Sequence, residues 1–135
     1  MIALDLDESV LEIAQENIRN AELENSCLEL VLCDALNVPF NPKICDVVVM
    51  NPPFGTKGNK GIDVAFLKAG MKLAREAIYS LHKSATRNYL LKKGSDMGLK
   101  TKVLGQFSYD LPPTYARHTK LKKTVDVDLI RFILD

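Results

Sequence analysis

The stretch that decides the fold is Ile44-Cys-Asp-Val-Val-Val-Met50, which runs directly into Asn51-Pro-Pro-Phe54. Its first part is apolar and rich in β-branched residues, which predicts a strand buried on both faces, as central parallel strands are. Two consecutive prolines cannot continue a sheet ladder, so Pro52 and Pro53 predict the end of that strand in an extended conformation. Ligands of open α/β sheets bind beyond the carboxyl ends of strands. The tetrapeptide is therefore a candidate functional motif.

Outward from this stretch, strands and helices alternate. The further strands are predicted at Met1 to Asp5, Leu28 to Leu32, Ala77 to Leu81, Thr101 to Tyr109 and Thr124 to Leu134. Helices are predicted from Asp7 to Leu23, from Val64 to Ala74, and from Ser84 as N-cap to about Met97, with Gly98 near the end. The alternation predicts an α/β, Rossmann-like sheet that is mainly parallel, and the last two strands predict a C-terminal antiparallel hairpin.

The composition describes an ordinary globular protein of 135 residues, with 47% hydrophobic and 26% charged residues. No apolar stretch approaches the ~18 residues of a membrane span, and no basic segment precedes an apolar one as in a secretion signal. Cys27, Cys33 and Cys45 are odd in number and lie in apolar runs. They predict buried, reduced thiols rather than a metal site, in a nuclear or cytoplasmic protein.

The net charge of +1 conceals an asymmetry. Residues 1–54 contain 10 acidic and 2 basic residues, whereas the remainder contains 7 acidic and 16 basic residues. The basic part predicts an anionic partner such as nucleic acid, and a merely solvated basic face is the alternative.

The tetrapeptide brings together an amide side chain, a stiff backbone carbonyl and an aromatic ring. Two acceptors can take both hydrogens of a planar NH₂ group and expose the nitrogen lone pair, while Phe54 stacks on the heterocycle for roughly 1–3 kcal/mol. This arrangement suits N-alkylation of an aromatic amine or amide. The alternative is a strand-terminating turn in which Phe54 fills the core and Asn51 bonds its own neighbouring backbone.

Segments along the whole chain resemble one known group of enzymes. They are Asp5-Leu-Asp-Glu8, Cys33-Asp34, Asn51-Pro-Pro-Phe-Gly-Thr-Lys57, Asn59-Lys-Gly61, Ala65-Phe-Leu-Lys68, Tyr79-Ser-Leu-His-Lys-Ser84, Tyr109-Asp-Leu-Pro112 and Val127-Asp-Leu-Ile-Arg-Phe132. The motif resembles that of class I S-adenosylmethionine-dependent amino-methyltransferases. The whole set resembles the eukaryotic methyltransferase-like enzymes that make N6-methyladenosine in small-subunit (18S) ribosomal RNA.

The resemblance implies a set of cofactor contacts for S-adenosylmethionine. Asp5 would accept hydrogen bonds from the ribose hydroxyls, and Asp34 would bond the adenine amino group with Ala35 supplying backbone contacts. Asn51 would also border the cofactor. A local turn closed by the Asp34 side chain is the alternative for that residue.

The resemblance also implies the substrate contacts. Asn51 and Pro52 would accept from the target N6, Pro53 would complete the catalytic motif, and Phe54 would stack on the adenine. Phosphate contacts would come from two groups of lysines, Lys57 and Lys60 beside the motif and Lys120, Lys122 and Lys123 in the predicted hairpin loop. Solvated surface charge explains these lysines equally well. His82 and Lys83 could face the substrate, and the entrance to a capped helix is the alternative.

Enzymes of this kind work as heterodimers with a small zinc-binding activator that adds a strand to their sheet. By analogy, the activator would dock on the expected edge strand, Leu28 to Leu32.

The glycine-rich loop that these enzymes place after their first strand is absent, and Met1 aligns with their second strand. Residues 1–135 are therefore expected to be a partial methyltransferase domain, lacking a strand between residues 1–5 and 44–50. A truncated, non-catalytic module that binds RNA or the activator is the alternative function. Methylation of DNA adenine, guanine N2 or protein glutamine by the same motif is another.

Overall fold

The structure, a computed structural model, describes residues 1–54, 61–111 and 123–134. The chain divides into two units, Met1–Phe40 and Asn41–Asp135. Lys57, Lys60, Lys120 and Lys122, which the sequence assigned to phosphate contacts, lie outside the described residues.

The first unit is a β-α-β arrangement. Strand β1 (Ile2–Asp5) and strand β2 (Glu29–Leu32) pair in parallel, with Asp5 opposite Leu32. Helix α1 (Glu8–Asn20) connects them and begins at Asp7, whose carboxylate accepts the Ser9 backbone N–H at 2.9 Å. That bond satisfies one of the unpaired donors of the first helical turn and explains why the helix starts there.

The second unit contains a four-stranded sheet in the order β3-β4-β6-β5. Its strands are β3 (Cys45–Met50), β4 (Ala74–Lys83), β5 (Lys100–Leu111) and β6 (Lys123–Ile133). Strands β3 and β4 are parallel, whereas β6 runs antiparallel to both β4 and β5. The predicted α/β class and the C-terminal antiparallel hairpin are confirmed. The prediction of a mainly parallel sheet is wrong for this unit, because the four-stranded sheet is mixed and β6 pairs antiparallel with both of its neighbours.

One face of this sheet carries the core of the second unit. Helix α2 (Ile62–Leu73) and helix α3 (Arg87–Asp96) contribute Leu67 and Leu90 to a cluster with residues of β4 and β6. Its fully buried members from the sheet are Ala74, Ile78, Ile130 and Phe132. Gly94 lets α3 approach closely, because a Cβ there would lie 2.5 Å from Thr101 Cγ2 and 3.0 Å from Phe132 Cδ1.

The expectation that β3 is buried on both faces is wrong. Val47 is 43% exposed and Val49 is 79% exposed, while Val48 and Met50 pack against the core. The physical reason is that only one face of β3 lies against the core, and within the described residues β3 pairs with β4 alone.

Ser84 is not the N-cap of a long helix. A 3₁₀ turn (Ser84–Thr86) precedes α3, which begins at Arg87, and the hydroxyl of Ser84 donates instead to Asp128 on β6. A buried carboxylate is a stronger acceptor than solvent, so this tertiary bond outweighs the local capping preference.

The cysteines are free thiols, but they are less buried than expected. Cys27 is exposed, and Cys33 and Cys45 are partly exposed. Cys27 lies in the segment before β2. Its backbone carbonyl, rather than its thiol, makes a hydrogen bond, which it accepts from the N-terminal amine of Met1.

Two phenylalanines on the β5-β6 hairpin provide a matched test of the core. Phe132 is fully buried, whereas Phe107 is 53% exposed. We expect Phe132→Ala to lower the free energy of unfolding by about 3–5 kcal/mol through lost burial and the cavity left behind. Phe107→Ala should cost clearly less in the same urea titration, and equal losses would contradict the placement of the core.

Candidate active site

The parallel pairing of β3 and β4 builds one edge of the candidate site. Met50 lies opposite Ser80, so the residues that follow each of them emerge together at the carboxyl edge of the sheet. After β3, Asn51 is exposed, Pro52 is buried and Pro53 is exposed, while Phe54 is partly buried. The ladder ends at the prolines as predicted, and it leaves the Asn51 amide accessible to a ligand.

At this edge, Lys83, the last residue of β4, meets Phe54. The Lys83 ammonium nitrogen lies 5.3 Å from the centroid of the Phe54 ring. At that distance a cation is attracted to the aromatic quadrupole by roughly 0.5–1 kcal/mol at an exposed site. Phe54 therefore packs beside a positive charge at the sheet edge rather than filling the core.

Beneath this edge lies a buried ionic network that sequence reasoning missed. Asp128, 0% exposed, accepts from Arg87 Nε and Nη2 at 2.6 Å each and from Ser84 Oγ at 2.7 Å. Arg87 also donates to Gln106 Oε1 at 2.6 Å. The bonds from Arg87 are the main reason that the pKa of Asp128 is lowered, and the same bonds raise the pKa of Arg87. Asp126 and Asp128 inside the predicted last strand were the available signal.

His82 lies on the same buried side of β4 as this network. It is 2% exposed, and its ring meets Phe132 edge-on with 6.4 Å between the centroids. Burial lowers the pKa of His82, and the nearby carboxylates of Asp63 and Asp128 oppose that shift only partly. Nε2 has no hydrogen-bond partner among the described residues. His82 is thus a neutral core residue, whereas Lys83 faces the site edge.

The first unit carries the acids expected to bind the cofactor. Asp5 ends β1 and Asp34 follows β2, and the Cys33 backbone N–H donates to the Asp5 carbonyl, so both acids lie at the same edge of their strand pair. Asp5 Oδ1 accepts the Asp7 backbone N–H at 2.9 Å. Ala35 is partly buried in the turn after Asp34.

Asp34 makes the local turn that was its alternative role. Its two carboxylate oxygens accept from the Leu36 backbone N–H at 2.8 Å and from Asn37 Nδ2 at 2.6 Å. A carboxylate has about four acceptor positions. The turn and a ligand contact are therefore compatible.

Two further properties of the described residues bear on the class of site. Among them, no group of three or more His, Cys, Asp or Glu side chains could hold a metal ion. None of the helices in residues 1–54, 61–111 and 123–134 is long and apolar enough to cross a membrane.

Lys123 is the first residue of β6 and lies opposite Leu111.

The buried histidine makes stability depend on pH. Because the folded pKa of His82 lies below its ordinary value of 6.5, the unfolded chain binds the proton more readily. The free energy of unfolding should therefore fall as the pH drops below about 6.5, with the loss continuing down to the folded pKa. Urea titrations at pH 7.5 and 5.5 measure this loss, which should be smaller in His82→Leu. An undiminished loss in the variant would contradict the assignment to His82.

Comparison with known proteins connects these features to a family. Residues 1–96 match the family described as RMKL-like, methyltransferase domain. The rRNA N(6)-adenosine-methyltransferase METTL5 of Danio rerio is 42% identical over 132 residues, which cover 97% of this chain and 63% of that protein. The rRNA N(6)-adenosine-methyltransferase Mettl5 of Drosophila melanogaster is 36% identical, over 97% of this chain and 62% of that protein. The chain thus spans a little under two thirds of the length of these relatives.

Solved structures share the fold. PH1948 of Pyrococcus horikoshii superposes with a TM-score of 0.76 at 25% identity, over 98% of this chain and 60% of that one. A SAM-dependent methyltransferase from Aquifex aeolicus gives 0.61 at 12% identity, over 98% and 68%. The α/β architecture is therefore that of methyltransferase structures, and the match over residues 1–96 shows that the chain belongs to the RMKL-like methyltransferase domain family.

Proposed function

We propose that the protein takes part in S-adenosylmethionine-dependent methylation of adenosine N6 in small-subunit ribosomal RNA. The observation that carries the proposal is the exposed Asn51 amide followed by two prolines and Phe54 at the carboxyl edge of β3. The names of the Danio rerio and Drosophila melanogaster relatives support the choice of an adenosine in ribosomal RNA. The family match supports methyl transfer as the reaction class.

The residues of the first unit suit the nucleoside part of the cofactor. Asp5 and Asp34 each retain acceptor capacity beyond the turn bonds they make, which fits ribose hydroxyls and an adenine amino group. Ala35 would add backbone contacts. Among the described residues of the first unit, these acids and Ala35 are therefore the candidate cofactor contacts.

In the proposed reaction, the residues after β3 orient the nucleophile. The Asn51 side-chain oxygen and the Pro52 carbonyl accept the two N6 hydrogens, while Phe54 stacks on the base and Pro53 keeps the backbone extended. S-adenosylmethionine supplies a methyl group on a sulfonium, so no general base has to act before attack. The amine proton leaves to water afterwards, and the rate comes from alignment and electrostatics.

Replacing the motif residues tests this function. Asn51→Ala removes one of the two acceptors that orient N6 and should reduce methyl transfer by roughly 10²-fold or more, as loss of a positioned catalytic polar group does. Phe54→Ala should weaken the reaction through lost stacking, by about 1–3 kcal/mol. Tritium transfer from labelled S-adenosylmethionine to ribosomal RNA is the measurement.

Asn17→Ala is the matched control, because Asn17 is an exposed residue of α1. It should leave the rate of methyl transfer unchanged. Wild-type activity that persists in Asn51→Ala would refute the assigned role. Binding of RNA or of the activator without any methyl transfer would favour the non-catalytic function instead.

We further propose that the open edge of β2 pairs with a small zinc-binding activator. Within the described residues, β2 pairs with β1 alone, and the backbone N–H groups of Glu29 and Cys33 donate to β1. Alternation along a parallel strand therefore turns the N–H groups of Leu30 and Leu32 away from β1. Leu32 is also 53% exposed, which gives a partner strand apolar surface to cover.

A proline at this edge tests the pairing. Leu30→Pro removes an outward N–H and should abolish co-purification with a co-expressed activator, since a proline cannot donate to an added strand. Leu30→Val keeps the N–H and is the matched control. Equal recovery of the activator with both variants would contradict docking on β2.

We propose that the protein is located in the nucleus and the cytoplasm, which are reducing compartments, because its three cysteines are unpaired. Imaging of the tagged protein checks this, and confinement to the secretory pathway would contradict it.

A further inference from the structure

Lys83 is a charged residue at the site edge that has no role in the proposed reaction. Its ammonium lies over the Phe54 ring, 5.3 Å from the centroid. The ion pairs found among the described residues join Arg75 to Asp46, Arg87 to Asp128 and Lys92 to Asp96. Lys83 belongs to none of these pairs, so its charge remains available to an anionic ligand.

The backbone of Lys83 is fixed more firmly than that of an ordinary surface lysine. Lys83 lies opposite Val127 in the β4-β6 ladder, and its carbonyl accepts from Thr86 Oγ1 at 2.9 Å. The next residue, Ser84, donates to the buried Asp128 at 2.7 Å. Hydrogen bonds therefore hold the backbone in place on both sides of the Lys83 Cα. Part of the conformational entropy that Lys83 would lose on binding a ligand is thus already lost on folding.

The position of Phe54 relative to Lys83 is equally constrained. Phe54 follows β3 and Lys83 ends β4, and these two strands pair in parallel, so the ring and the ammonium emerge from the same edge. The two prolines restrict the backbone between β3 and Phe54. A base stacked on Phe54 would consequently present its sugar-phosphate backbone in the neighbourhood of Lys83.

We propose that the Lys83 ammonium binds a backbone phosphate directly flanking the nucleotide whose base stacks on Phe54. The inference rests on the proposed function, since it takes RNA as the substrate. In the free protein the ammonium rests on the ring. In the complex, the flexible four-carbon stem carries the charge from the ring to the phosphate while the Cα stays in place. A phosphate attracts the ammonium more strongly than the ring does, because the contact is charge-assisted.

Salt-dependent RNA binding by the full chain tests the contact. The probe is a fluorescently labelled single-stranded RNA with one adenosine in a uridine background. Lys83→Gln should weaken binding roughly three- to tenfold and reduce the slope of log affinity against log salt by about 0.7, the value for one phosphate on a single strand. Lys83→Arg should retain most of the affinity, because it keeps the charge.

Lys72→Gln is the matched control. Lys72 is an exposed lysine in the last turn of α2, beside the amino-terminal end of β4 rather than its carboxyl end. It loses the same charge at the opposite edge of the sheet and should leave both affinity and slope unchanged. An equal effect of both substitutions would show a diffuse charge effect and overturn the proposal.

A thermodynamic cycle that combines the Lys83→Gln substitution with a modified RNA linkage locates the phosphate. Neutral methylphosphonate linkages are placed one at a time on the 5′ and 3′ sides of the adenosine. Wild-type protein should lose affinity with one of the two RNAs, whereas Lys83→Gln should bind that RNA and the unmodified RNA equally. If neither linkage affects wild type and variant differently, Lys83 does not contact a flanking phosphate and the proposal is wrong.

Methyl transfer to the same RNA separates this inference from the proposed function. RNA binding with the expected cycle but no methyl transfer by the wild type would refute the reaction and support the phosphate contact. Methyl transfer by Lys83→Gln with wild-type KM, wild-type affinity and an unchanged salt slope would support the reaction and refute the phosphate contact.

Discussion

The buried carboxylate of Asp128 is the constraint on which the candidate site of the second unit depends. It lies on β6, the strand between β4 and β5, and takes hydrogen bonds from the start of α3 and from the 3₁₀ turn after β4. A charge without exposure is tolerated only where it is paired and hydrogen-bonded. Arg87 and Ser84 supply those bonds, so the segment that leaves β4 has one favourable arrangement. Lys83 stands directly before that segment, at the edge where Phe54 emerges.

The alternation of side chains along β4 explains why His82 and Lys83, neighbours in sequence, have opposite surroundings. Alternation along β4 turns His82 toward Asp128 and Phe132, where burial lowers its pKa. Lys83 points to the other side, toward the Phe54 ring. A neutral imidazole in the core and an ammonium at the edge are therefore consequences of one strand register. The same register fixes which of the two can reach an anionic substrate.

The sequence predicted the elements well where local signals and packing agree. Every strand was placed to within a few residues, since apolar runs bounded by prolines, glycines and polar residues mark them clearly. The motif was located at the end of β3 because two consecutive prolines cannot continue a sheet ladder. The start of α1 near Asp7 was likewise visible from sequence, because the signals for a helix start involve residues two or three positions apart.

What the sequence could not predict are contacts between distant residues. Ser84 was expected to cap a helix, yet its hydroxyl bonds Asp128, 44 positions away, and the helix begins at Arg87. No local rule ranks a tertiary acceptor against a local one. The burial of β3 was misjudged for a related reason, since an apolar strand shows that its side chains can be buried but not how many neighbours surround it.

The exposed side of β3 bears directly on how the site works. Val49 precedes Met50 and Asn51 and is 79% exposed, while Met50 packs against the core beside Gly70. Within the part of the chain that the structure describes, the strand that presents the candidate catalytic motif is thus held from one side, by its pairing with β4 and its contact with α2. An apolar strand surface left in water favours association with other chains. Any surface that covers Val47 and Val49 would therefore also restrain Asn51 and Phe54, which makes the precision of the site sensitive to what lies against β3.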